Sequence, residues 1–95
     1  MDYKVKICGV PHKVLHKDDC FNAGERHFGQ IDYKKCEILL STGMNEEMEK
    51  QTLFHEMMHG ILFGVGYSEL AENEQFVQAL AQAMTGCFEV IKDVI

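Results

Sequence analysis

His55-Glu56-Met57-Met58-His59 is the stretch of this 95-residue chain whose residue types and spacing could do chemistry. Residues four apart on a helix stand one above the other, with Cβ atoms about 5–6 Å apart. Two imidazoles so placed can converge on one Zn²⁺ at bonds of about 2.0–2.1 Å, and the glutamate one step round the helix can take a proton from water at the metal. A catalytic zinc site needs a third protein ligand. The metzincin continuation is missing, because Leu62 stands where its glycine belongs and Val65 where its third histidine belongs. Among the acids beyond the helix, Glu74 is the best placed, at the edge of an apolar stripe and in line with Val77 and the small Ala81. Glu72 lies on the other flank and reads as a first-turn or capping carboxylate, Glu69 in the turn is the fallback, and Glu89 points to solvent.

The elements that must position these residues follow from periodicity. Val5 and Ile7 alternate with Lys4 and Lys6, a second short run spans His12 to His16, and residues 27–33 alternate again. Asp18 to Glu25 is turn-like, Lys34-Lys35 suits a tight reversal, and Cys36 to Leu40 is a compact apolar strand. The expectation is a small sheet of three or four strands, mostly antiparallel. At Asn45, a plausible N-cap followed by Glu46, Glu47 and Glu49, the period changes to helical, and the helix should run to about Phe63, where Gly64 and Gly66 stop it. At about 100° per residue, Leu53, Phe54, Met57, Met58 and Ile61 share one broad face, with His55 and His59 opposite. Met48 and Leu62 on the histidine side imply that something packs there. A second helix should start near Glu72 or Asn73 and reach about Asp93, with Phe76, Val77, Leu80, Met84, Cys87, Phe88 and Ile91 as its apolar stripe. Strands first and helices after them give an α+β order in one domain spanning residues 1–95.

Residues 51–59 and, after a short loop, residues 74–81 carry a resemblance to the ImmA/IrrE-type metallo-endopeptidases, particularly small phage-encoded members. These belong to the gluzincin-like zincins, whose third ligand is a glutamate on the helix after the H-E-x-x-H helix. The resemblance is specific over roughly residues 45–85 and architectural before them, and implies a minimal zincin-like domain with His55, His59 and Glu74 as zinc ligands and Glu56 as catalytic base. Two departures stand out. No helix-turn-helix segment of the kind many relatives carry is present, and Asn73-Glu74 is followed by Gln78 where a thermolysin-type motif has Asp. The partner that orients a ligating histidine therefore has no name in the sequence.

The expected function is hydrolysis of a peptide bond in a specific protein substrate, a repressor-like regulator among the candidates, by a metal-activated water with Glu56 as general base. The substrate should lie extended at a sheet edge, beside the Ile38-Leu39-Leu40 strand or its neighbour. Tyr33 and Tyr67 are the candidate oxyanion stabilisers. One rival is a zinc-stabilised interaction module, antirepressor-like, without turnover; in another, no metal binds and the motif is incidental.

Composition bounds these readings. Fifteen acidic against nine basic side chains give a net charge of −6, and residues 37–95 hold two basic against ten acidic residues, which argues against nucleic-acid binding. The N-terminal residues lack the pattern of a secretory signal and no apolar run is long enough for a membrane span, so a cytoplasmic protein is expected. Cys8, Cys20, Cys36 and Cys87 form no Cys-x-x-Cys pair and read as free thiols, mostly buried. His12, His16 and His27 lack ligand spacing and read as surface or partly buried residues. Met44, Met48, Met57, Met58 and Met84 suit core and groove filling.

Overall fold

The computed structural model describes residues 2–18, 21–22, 25–26 and 28–88. The order is β1 (Tyr3–Ile7), β2 (Val10–Lys17), β3 (Phe21–Asn22), β4 (Glu25–Arg26), β5 (Gly29–Asp32), β6 (Glu37–Ser41), α1 (Glu46–Gly64), α2 (Ser68–Ala71) and α3 (Glu74–Cys87). This is the expected α+β arrangement, a four-stranded sheet followed by the helices. The sheet runs β1-β2-β6-β5, with β1·β2 and β5·β6 antiparallel and β2·β6 parallel. β6, which holds Ile38, Leu39 and Leu40, is thus paired on both sides, and the edge beside it is β5.

Local chemistry explains the connections. β1 and β2 join through Cys8 and Gly9 at φ 52° and 80°, a two-residue reversal whose positive φ values match the right-handed strand twist. Asp32 Oδ1 accepts from the backbone N–H of Lys34 and Lys35, both at 3.0 Å, and turns the chain from β5 into β6. Asn45 caps α1 by accepting from Met48 N–H at 2.8 Å, and Asn73 caps α3 by accepting from Phe76 N–H at 3.0 Å. At the end of α1, Tyr67 N–H donates to Leu62 O and Gly66 N–H to Phe63 O, with Gly66 at φ 93°; this Schellman closure swings the chain back over the helix.

α1 lies between the sheet and α3, with packing on both sides. Leu53 joins Ile7, Val14, Ile38 and Leu40 in one core, while Phe54 and Met58 join Val77 and Ala81 in another. Met57 and Ile61 touch both cores, and Leu62 packs against the second. A Cβ at Gly60 would come within 2.9 Å of Ile31 Cδ1, so the absence of a side chain there sets the seating of α1 on the sheet.

Five expectations need correction. α3 ends at Cys87, because Phe88 is extended (φ −128°, ψ 156°); Glu89, Ile91 and Asp93 lie outside the described residues. The turn after α1 contains the short helix α2, which holds Glu69. Cys8 and Cys87 are exposed and Cys36 half-buried, all as free thiols, because two of them sit in or beside turns and the third on the last turn of α3; Cys20 lies outside the described residues. Part of the expected Asp18 to Glu25 turn is the small β3·β4 ladder. His12, expected at the surface or partly buried, is buried, with Nδ1 2.9 Å from Val10 O; His16 is half-buried, as expected, between Asp2 and Glu49, each 3.1 Å from one ring nitrogen, and His27 lies outside the described residues. No helix among the described residues is long and apolar enough to cross a membrane.

Candidate metal centre

The reversal after α1 brings the first turn of α3 against the middle of α1. His55 Nε2 and His59 Nε2 lie 3.2 Å apart, and Glu74 Oε1 stands 2.9 Å from the first and 3.2 Å from the second. Tetrahedral coordination with bonds of about 2.0–2.1 Å holds ligand atoms roughly 3.3–3.4 Å apart, so the three atoms already sit at nearly the spacing of three corners around one ion. His55, His59 and Glu74 form a group that could hold a metal ion. Glu72 and Glu69 are not members of it.

Hydrogen bonding on the far side of each ring decides what faces this point. His59 Nδ1 donates to the backbone carbonyl of Ala71, an oxygen that can only accept, and His55 Nδ1 is 2.6 Å from Gln78 Oε1. A ring that donates through Nδ1 turns a bare Nε2 lone pair toward the Glu74 carboxylate oxygen, the tautomer that a metal ion needs. Three acceptors aimed at one point with no proton between them are repulsive unless a cation joins them. Two imidazoles and a carboxylate are a donor set that fits a divalent transition-metal ion. The two orienting groups are what the sequence left unnamed. Gln78 occupies the place of the missing Asp, one turn along α3 from Glu74, and a backbone carbonyl leaves no mark on side-chain pattern.

Glu56 is 7% exposed and lines two adjoining cavities, each of which it shares with His55 and with Gly29 of the edge strand β5. One cavity, of about 320 Å³, is bounded by Phe28, Met48, Gln51, Thr52 and Gln78 together with His55 and Glu56. The other, of about 640 Å³, is bounded by Gln30, Ile31, Tyr33, Glu72 and Glu74 together with His55, Glu56 and His59. Gly29 borders both; a Cβ there would meet Thr52 Cγ2 at 2.7 Å, so a bare backbone lets β5 press close to α1. Met48 is 39% exposed at the mouth of the smaller cavity, so the side of α1 above His55 is partly covered and partly open.

The two tyrosines separate. Tyr67 is 60% exposed at the N-terminus of α2 and borders neither cavity. Tyr33 borders the larger one and stacks on Phe63, with ring centroids 4.2 Å apart. Burial, followed by the negative charges of Glu56, Glu72 and Glu74, raises the pKa of its phenol, which stays protonated as a hydrogen-bond donor. Comparison with protein-family models, with curated proteins and with solved structures found no match for this chain.

Proposed function

We propose that the chain is a zinc-dependent endopeptidase of the ImmA/IrrE-like kind that its sequence resembles. The observation that carries this reading is the convergence of His55 Nε2, His59 Nε2 and Glu74 Oε1, with the Nδ1 atoms of the two histidines tied back and Glu56 buried. A purely structural metal site has no use for a carboxylate at that position. Bound zinc would supply a Lewis acid that polarises a peptide carbonyl and acidifies water. The rest is the work of the chain. Glu56 accepts the proton released as water attacks and returns it to the nitrogen of the leaving amine. Tyr33 offers its phenol O–H to the negative charge that develops on the carbonyl oxygen. Gln78 and the Ala71 carbonyl keep both imidazoles in the ligating tautomer. The edge strand β5, the neighbour of the Ile38-Leu39-Leu40 strand, offers backbone groups to an extended substrate.

The test is a comparison of zinc-loaded wild type with Glu56→Gln, each incubated with a native cell lysate and with a peptide library made from it, followed by identification of new N-termini. Cleavage by wild type and a loss on the order of 10²–10⁴-fold in Glu56→Gln, with zinc content unchanged, support the reading. Equal cleavage by both proteins, or none by either, contradicts it and favours an interaction module.

A further inference from the structure

We propose that Glu72 is a specificity-determining residue, selecting substrates with Lys or Arg on the Tyr33 side of the scissile bond and an uncharged, apolar side chain on the Phe28 side. This rests on the endopeptidase reading and names the substrate class it would take. The two cavities meet at His55, Glu56 and Gly29; all three candidate ligands line the larger one, and the two differ in the charged residues on their remaining walls. The walls that belong to the smaller one alone are Phe28, Met48, Gln51, Thr52 and Gln78, none of them charged. Phe28 and Met48 are 49% and 39% exposed at its rim, two large apolar side chains that a substrate side chain would cover.

The larger cavity has a further acidic residue on its wall. Glu74 is turned toward the two histidines, but Glu72 is exposed, borders the cavity and acts electrostatically on Tyr33. Its carboxylate is the negative charge left over there once the metal ligands and the Glu56 base have been assigned. Tyr33 and Phe63 add a stacked aromatic pair whose Phe63 is 48% exposed, a surface on which the stem and charge of a Lys or Arg can rest. A peptide crossing along β5 therefore meets, on one side of Glu56, a recess whose own walls carry no charge and, on the other, the Glu72 carboxylate with aromatic rings, in an order set by its direction.

The same library digestion, run with wild type and Glu72→Lys, reads the preference directly. Expected is enrichment of Lys and Arg of roughly fivefold on one side of the cleaved bonds, lost or reversed toward Asp and Glu in Glu72→Lys. Enrichment of apolar residues on the other side should persist in both proteins. The Glu56→Gln protein gives the comparison as binding. A fluorescein-labelled peptide with a central Leu and a Lys two residues away should bind more tightly than its Glu counterpart by a similar factor, and Glu56→Gln/Glu72→Lys should invert the order. Glu56-dependent cleavage with no basic preference, or with one that Glu72→Lys leaves intact, overturns the role of Glu72 and leaves the endopeptidase reading standing. Absence of Glu56-dependent cleavage overturns both.

Discussion

At the scale of single residues, the site depends on which ring nitrogen is free. His55 and His59 point Nε2 inward because Gln78 Oε1 and the Ala71 carbonyl hold Nδ1, so the residue to perturb is one that is not itself a ligand. Gln78→Ala should weaken zinc affinity about 10–100-fold, while Gln78→Glu, which keeps an acceptor in place, should retain it. Competition against a chromophoric chelator measures both, and an unchanged affinity in Gln78→Ala would remove the orienting role. The meeting of His55 and His59 was legible because i, i+4 spacing on a helix is itself geometry, and that of Glu74 because its place beside Val77 and Ala81 follows from the period of the next helix. Gln78 was passed over because an amide where an acid was sought looked like a gap. The thiols were misjudged because residue type alone does not show that Cys8 and Cys36 sit in turns at φ 52° and 54°.

Among the elements, α1 is held from two sides, and its seat on the sheet passes through Gly60. A Cβ there would meet Ile31 Cδ1 at 2.9 Å and Ile7 Cδ1 at 3.2 Å. Gly60→Val should therefore destabilise the fold by about 1–3 kcal/mol through overpacking, read as a lower urea midpoint. A midpoint at or above that of wild type would show that the sheet and helix yield more easily than this packing implies. The other end of α1 is tied to β1, where Tyr3 O–H donates to Glu49 Oε2 at 3.4 Å beside the His16 ring. Burial, and then the charge of Glu49, raises the Tyr3 phenol above its ordinary 10.0. The folded chain keeps that proton where the unfolded chain releases it, so stability should fall as pH rises beyond about 10. Urea midpoints at pH 9 and 11 should show the fall in wild type and a smaller one in Tyr3→Phe; equal falls would assign the alkaline sensitivity elsewhere. The cap Asn45 and the stop at Gly66 could be read from sequence, since each is a local device, whereas Glu72, read as a first-turn or capping carboxylate, ends α2 and Asn73 caps α3. Strand order could not, because the parallel pairing of β2 with β6 is a long-range choice that alternation does not encode, and it is that choice which makes β5 the edge.

For the whole molecule, a chain of this length buries a modest share of its surface, so a bound ion should contribute noticeably to stability. The α+β order was readable because strands and helices occupy separate halves of the sequence; the two cavities were not, because each is walled by residues from both halves. The most direct test is zinc content, by elemental analysis after gentle purification, of wild type beside Glu74→Ala, Glu72→Ala and Glu69→Ala. The account predicts one zinc per chain in wild type, Glu72→Ala and Glu69→Ala, with a marked loss in Glu74→Ala. A wild-type chain that takes up no zinc even when it is supplied, or a Glu74→Ala protein that holds it as tightly as wild type, would contradict it.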